Sequence, residues 1–174
     1  MTLAFSDDPP TRWMFPEPSR YLRHFQTFMR LYAGAGFDSG SVLAVEGNEG
    51  YAMWLPPGVH SDEEGIADLL RQSVAATRLT EILDLVAQMT SFQPVEPHWF
   101  LPLIGVDPMV RGRGLGSALL KHMLAQCDRE RQLAYLDSTN ARNIPLYERH
   151  GFERLGVIKA GSCPPVFPML RKPR

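Results

Sequence analysis

The stretch Leu103-Ile104-Gly105-Val106-Asp107-Pro108-Met109-Val110-Arg111-Gly112-Arg113-Gly114-Leu115-Gly116-Ser117-Ala118-Leu119-Leu120 decides the fold. An apolar run ends at Asp107-Pro108, glycines follow at alternate positions, and Leu115, Ala118, Leu119 and Met123 then repeat at helical spacing. This reads as strand, glycine-rich turn, helix. Glycine lets the backbone take positive φ and lets a ligand approach bare N–H groups. A helix N-terminus adds unpartnered donors and partial positive charge. Together they make a cradle for a pyrophosphate, built from Arg111, Gly112, Arg113, Gly114, Leu115, Gly116 and Ser117.

Two other phosphate-binding patterns do not fit. A Walker loop needs glycine followed by lysine and a hydroxyl residue, and the chain contains no Gly-Lys pair. The dinucleotide fingerprint needs glycine at its first, third and sixth positions; counted from Gly112, the sixth is Ser117. Too little chain follows for two mononucleotide-binding halves. What fits is Arg-x-x-Gly-x-Gly over Arg111–Gly116, which resembles the acetyl-CoA-binding motif of the GNAT superfamily of acyl-CoA-dependent N-acyltransferases.

A second stretch, Ser138-Thr139-Asn140-Ala141-Arg142-Asn143-Ile144-Pro145-Leu146-Tyr147-Glu148-Arg149-His150-Gly151-Phe152, resembles the later GNAT signature of an Asn, a Tyr within a short helix, then Gly-Phe. Gly151 stops that helix, Pro145 delays or distorts its first turn, and Asn140 or Asn143 caps it. The first motif alone is also what an ordinary glycine-rich connection looks like. The two in order, each on its expected element, carry the resemblance. It covers about residues 98–155 and says little about residues 1–18.

Composition narrows the class. With 174 residues, the chain is read as one domain, 1–174, with a sizeable core. Net charge is −1 with no basic tail or stripe, so neither nucleic acid nor an anionic membrane surface is the expected partner. No apolar run approaches a membrane span. The acidic, proline-rich start lacks the basic and apolar regions of a secretion signal, so a cytoplasmic monomer or homodimer is expected. Cys127 and Cys163 have no metal or redox spacing, no metal is expected, and Cys127 reads as a small core residue.

The remaining elements follow from periodicity and punctuation. The prolines of residues 1–18 exclude regular helix, and Trp13, Met14 and Phe15 anchor that segment to the body or line a cleft. Ser19 caps a helix carrying Leu22, Phe25, Met29 and Tyr32, stopped by Gly34. Ser41–Glu46 and Tyr51–Leu55 make a hairpin. Helices follow behind Ser61-Asp62-Glu63-Glu64 and behind Thr80, the second ending near Ser91. Gly105 and Pro102 mark the strand before the cradle as irregular, with close approach of a ligand at Gly105. A helix to about Asp128 leads to a strand at Leu133–Asp137, forming a parallel right-handed crossover. Strands at Glu153–Lys159 and Val166–Leu170 complete an α/β fold: a mixed sheet, antiparallel early and parallel at its centre, flanked by helices.

The GNAT resemblance implies that the two central strands splay apart and that the pantetheine arm of acetyl-CoA lies between them. It implies oxyanion stabilisation by backbone N–H groups over Ile104, Gly105 and Val106. A base must deprotonate the amine, and Asp137 and His98 are the candidates, ahead of Glu96; each is also readable as a turn or surface residue. Tyr147 matches the family tyrosine that serves the leaving thiolate, and is also readable as a core aromatic. Asn140 and Asn143 hydrogen-bond the pantetheine arm or cap the helix. The implied activity is transfer of acetyl from acetyl-CoA to an amine on a small molecule or peptide. A non-catalytic acyl-CoA sensor and a peptide or protein N-acetyltransferase are the alternatives.

Overall fold

The computed structural model describes residues 1–174. The helices are α1 (Pro9–Met14), α2 (Pro18–Ala33), α3 (Ala35–Asp38), α4 (Glu63–Ser73), α5 (Ala76–Phe92), α6 (Leu115–Glu130) and α7 (Ile144–Arg149). The strands are β1 (Val42–Ala44), β2 (Gly50–Leu55), β3 (His98–Val106), β4 (Leu133–Ser138), β5 (Glu153–Arg154) and β6 (Phe167–Arg171). They form one sheet in the order β1-β2-β3-β4-β6-β5. The pair β3–β4 is parallel and every other neighbour is antiparallel, as the α/β reading with its single crossover requires. No helix is long and apolar enough to cross a membrane.

The N-terminal segment departs from expectation. Residues Pro9–Met14 are helical despite two prolines, because Pro9 and Pro10 stand in the first turn, where their missing N–H groups had no helical partner. Asp8 caps this helix through the Thr11 N–H, at 3.1 Å. For the same reason α2 begins at Pro18, with Glu17 and not Ser19 before it. Gly34 stays right-handed (φ −65°), so the chain continues directly into α3. Helix α5 starts at Ala76, which puts Thr80 inside it. The strand expected over Glu153–Lys159 shrinks to Glu153–Arg154 plus a single bridge, Ile158 to Val166. Leu22, expected on a buried face, is exposed.

Two layers cover the sheet. On one face Ala52, Trp54, Trp99, Leu101 and Leu136 pack against Leu119, Leu120, Met123, Leu124 and Cys127 of α6 and Tyr147 of α7. On the other, Met53 and Leu103 meet Ala33, Met29 and Tyr32 of α2. Phe15, Tyr21, Phe25, Leu70 and Ile82 join α1, α2, α4 and α5, so the apolar start of the chain is an anchor. The Cys127 thiol is buried, which pushes its pKa up to about 12 and leaves it inert.

One ion pair locks the C-terminal strand to the layer that carries the cradle. Arg171 of β6 is buried and donates to both carboxylate oxygens of Asp128 at 2.7 and 2.8 Å, and to the His150 carbonyl at 3.0 Å. These bonds, with burial opposing them, hold the Asp128 carboxyl below its ordinary pKa. A depressed carboxylate stabilises the fold above its unfolded pKa and loses that contribution as pH falls through the folded value. Arg171→Met should lower unfolding free energy by about 2 kcal/mol at neutral pH. In chemical denaturation followed against pH, the gap between wild type and variant should narrow once the pH drops below the ordinary carboxylate range.

Candidate active site

The site is a gap between β3 and β4. Their pairing runs His98–Leu133, Trp99–Ala134, Phe100–Tyr135 and then stops. On the other side of β3, Leu103 faces Met53 and Phe100 faces Leu55, so Leu101 and Pro102 share the single residue Trp54. That extra residue is a bulge, which bends the strand and increases its twist. Pro102 also removes a donor from the ladder. The irregularity expected from the sequence therefore sits where the two strands part. Asp107 N–H donates to Glu49 O at 2.7 Å, so by alternation Leu103 and Gly105 turn their polar groups to β2. The N–H groups of Ile104 and Val106 consequently face the gap.

Gly105 does have a close neighbour, but it belongs to the chain itself. A Cβ there would lie 2.7 Å from Ala4 Cβ and 3.2 Å from Phe5. The segment before α1 thus packs on the splayed strand.

The cradle follows β3 directly. Asp107 accepts the Met109 N–H at 2.9 Å and starts a 3-10 turn over Pro108–Val110. Gly112 and Gly114 both have φ +82°, a conformation costly for other residues, and a Cβ on either would meet nothing within 4 Å. Neither N–H has a hydrogen-bond partner within the chain, and the space beside each Cα is open, which fits a phosphate ligand. Gly116 is ordinary helix, and a Cβ there would only touch Leu146 at 3.5 Å. The side chains are less free than expected. Arg111 is taken by Asp7, at 3.1 and 3.2 Å, and by the Ala4 carbonyl at 2.8 Å. Ser117 Oγ lies 2.7 Å from His150 Nε2, and burial with nearby Lys121 and Arg149 lowers the His150 pKa. Arg113 keeps only a 3.6 Å contact with Glu49.

Among the candidate bases, the structure separates two residues that the sequence left level. Asp137 lies on β4 two residues past Tyr135, the last residue paired with β3. Its Oδ1 accepts the Tyr135 hydroxyl at 2.8 Å, and its buried Oδ2 has no partner. Burial raises its pKa to about 7, against the Tyr135 hydrogen bond. The Tyr32 hydroxyl is buried close enough for Asp137 to push its pKa further up. Phe100 spans the two tyrosines, its ring 6.1 Å from Tyr32 and 6.0 Å from Tyr135. His98 lies at the closed end, facing Leu133, with Nδ1 2.9 Å from the Glu96 carbonyl. At about 3.3 Å per residue it is some 20 Å along β3 from Ile104, but its ring stands 5.9 Å from that of Tyr135, whose hydroxyl holds Asp137.

Tyr147 is buried in the α6-side core with its ring 6.1 Å from Phe152. Burial raises its pKa, and the Asp8 carboxylate raises it further. Asn140 accepts the Arg142 N–H at 3.0 Å, so it caps; Asn143 is exposed and makes no capping bond. The sequence reading missed Asp8, Thr139, Tyr32 and Tyr135. For Asp8 a signal existed, since Asp before Pro-Pro is a helix start. No cluster of His, Cys, Asp and Glu could hold a metal ion.

Residues 71–154 match a protein-family model described as an acetyltransferase (GNAT) domain, and those residues include β3, the cradle, β4 and α7. An uncharacterized N-acetyltransferase of Schizosaccharomyces pombe is 26% identical, covering 98% of this chain and 76% of its own. A Corynebacterium glutamicum structure described as "histone acetyltransferase HPA2 and related acetyltransferase" superposes with a TM-score of 0.66 at 27% identity, over 99% of this chain and 87% of that one. Residues 71–154 thus carry a GNAT acetyltransferase domain. An agmatine N-acetyltransferase shares the fold, with a TM-score of 0.64 at 18% identity over 97% of this chain and 88% of its own. This GNAT protein is accordingly an acyl-CoA-dependent acetyltransferase, and its splayed strands are the GNAT feature the sequence led us to expect.

A carboxyl group whose folded pKa is raised favours folding when protonated and opposes it increasingly as pH rises from the unfolded to the folded value. For Asp137 that window is about pH 4 to 7. Asp137→Asn should therefore gain stability relative to wild type across this range, on the order of 4 kcal/mol at most, and level off above it. Unfolding free energies of both proteins from pH 4 to 8 check this; parallel curves would place the ionised carboxylate in a compensated environment.

Proposed function

We propose that the protein transfers the acetyl group of acetyl-CoA to the primary amine of a small acceptor, with Asp137 as base and Tyr147 as hydrogen-bond donor to the departing sulfur. The single observation carrying this reading is the buried, unpartnered Oδ2 of Asp137, on one edge of the gap whose other edge offers the Ile104 and Val106 N–H groups. Residues 1–174 act in it as one working unit in the cytoplasm.

Acetyl-CoA supplies a thioester carbonyl and a thiolate leaving group. The chain supplies the rest. Backbone N–H groups from Arg111 to Ser117, with the loosely held Arg113, bind the pyrophosphate at the start of α6. The Asn143 side chain hydrogen-bonds the pantetheine arm. The N–H groups of Ile104 and Val106 hold that arm and the oxyanion as negative charge develops on it. An amine is protonated near neutrality and cannot attack, so Asp137 takes one proton from the ammonium. A carboxyl with a pKa of about 7 is half ionised there, which suits a base at neutral pH. Tyr147 stays protonated, since burial raises its pKa, and so keeps its O–H as a donor. Tyr32, Phe100 and Tyr135 form an aromatic wall beside Asp137, and such faces attract an ammonium group. This favours a small cationic amine as acceptor, in line with the agmatine acetyltransferase of the same fold.

A panel of small amines, followed by release of free thiol from acetyl-CoA, tests the reading. Wild-type kcat/KM should fall with decreasing pH through an apparent pKa near 7. Asp137→Asn should lose that limb and ~10²–10⁴-fold in rate. Tyr147→Phe keeps the ring and should lower kcat within a similar range of ~10²–10⁴ while CoA affinity stays within a factor of about two, because the interaction is made mainly in the transition state. Wild-type turnover by both variants would leave the two residues as core groups.

A further inference from the structure

Residues 1–8 lie outside the stretch that matches the family model, yet they touch both lips of the gap. On the β3 side, Ala4 and Phe5 pack against Gly105, and Asp7 and the Ala4 carbonyl hold both terminal nitrogens of Arg111, in the cradle. On the β4 side, the next residue, Asp8, accepts the hydroxyl of Thr139, which follows the end of β4. Two consecutive carboxylates therefore bridge two lips that diverge. Their surroundings differ. Asp8 is 7% exposed and also accepts both the N–H and the hydroxyl of Thr11, so it is fixed to α1. The Asp7 side chain is 56% exposed and that of Arg111 45%, so their pair is open to water and to competing anions.

We infer that residues 2–8 form a strap across the mouth of the gap, hinged at Asp8, and that Asp7 competes with the pyrophosphate of the cofactor for Arg111. The inference rests on the cofactor reading above. Carboxylate and phosphate oxygens use the same guanidinium fork. With both terminal nitrogens facing the strap, a pyrophosphate can take the fork only by displacing Asp7. Strap release and full engagement of the cradle are then one event. Arg111 has two successive roles, first as the strap's catch and then as a pyrophosphate ligand. Asp8 and Thr139 stay joined throughout, so the segment stays tethered over β4.

Calorimetric titration with CoA of wild type, Asp7→Ala, Arg111→Gln and the double variant tests this. Asp7 is exposed, so its replacement leaves the fold intact. Asp7→Ala should tighten CoA about two- to five-fold, the range for an exposed ion pair. In the Arg111→Gln background the same change should have no effect. Amide hydrogen exchange over residues 2–7 should speed up when CoA saturates the wild type, while exchange at Thr11 stays constant. Unchanged or weaker binding by Asp7→Ala overturns the strap and leaves the cofactor reading standing. Equal tightening in both backgrounds also overturns it, as a long-range charge effect. If only Asp7→Ala binds CoA, the strap is a complete block in the wild type. If no variant binds CoA, the cofactor reading falls and the competition with it.

Discussion

The site depends on one broken ladder. A parallel pair of strands is held by evenly spaced backbone hydrogen bonds, and β3 and β4 keep theirs only as far as Phe100 and Tyr135. Past that point a bulge at Leu101-Pro102 and the missing N–H of Pro102 turn β3 away. Backbone groups left unpaired inside a protein are costly unless something bonds them. Here they line an opening whose far edge is β4, and β3 leads directly into the turn before α6. β6 stays paired along all of β4 from Ala134 to Ser138, and β2 pairs with β3 on both sides of its bulge, so the gap is an opening inside the sheet and not a frayed edge.

Much of this was legible in the sequence because it is set locally. Alternate glycines at Gly112 and Gly114 require positive φ, and the apolar repeat of Leu119, Leu120 and Met123 requires a helix to follow. Pro102 and Gly105 announced an irregular strand from their own backbone chemistry. What escaped depends on distant contacts. Arg111 reads as free until Asp7, far away in sequence, is seen to hold it. Asp137 and His98 read alike, since each begins or ends a predicted strand; only the register tells the open end from the closed one. Pro9 and Pro10 read as helix breakers because an interior proline is one, whereas a proline in the first turn is not. Glu153–Lys159 has strand-like residues, but only Glu153, Arg154 and Ile158 find a partner, because β6 inserts beside β4 and leaves this stretch at the sheet edge.

The charges repeat the same division between local and distant. The chain as a whole is nearly neutral, and its net charge of −1 says nothing of the site. Yet two carboxylates, Asp8 and Asp137, are driven above their ordinary pKa by burial, and both lie at the open end of β4. Asp8 is held by two threonines, and Asp137 by a single tyrosine with one oxygen left over. A fully bonded carboxylate fixes structure. One with a spare buried oxygen is ready for a proton or an ammonium group. That difference, more than burial alone, sets the anchoring acid apart from the one proposed as base.

Cofactor binding in the gap depends on the open edge of β3. Amide nuclear magnetic resonance of the labelled protein, titrated with CoA, reads that edge directly. The Ile104 and Val106 N–H signals should shift strongly and gain protection from hydrogen exchange, together with Gly112 and Gly114. Those of His98, Trp99 and Phe100, where β3 and β4 are still paired, should stay in place. If CoA bound while the Ile104 and Val106 amides kept both their shifts and their exchange rates, the gap would not be the cofactor slot.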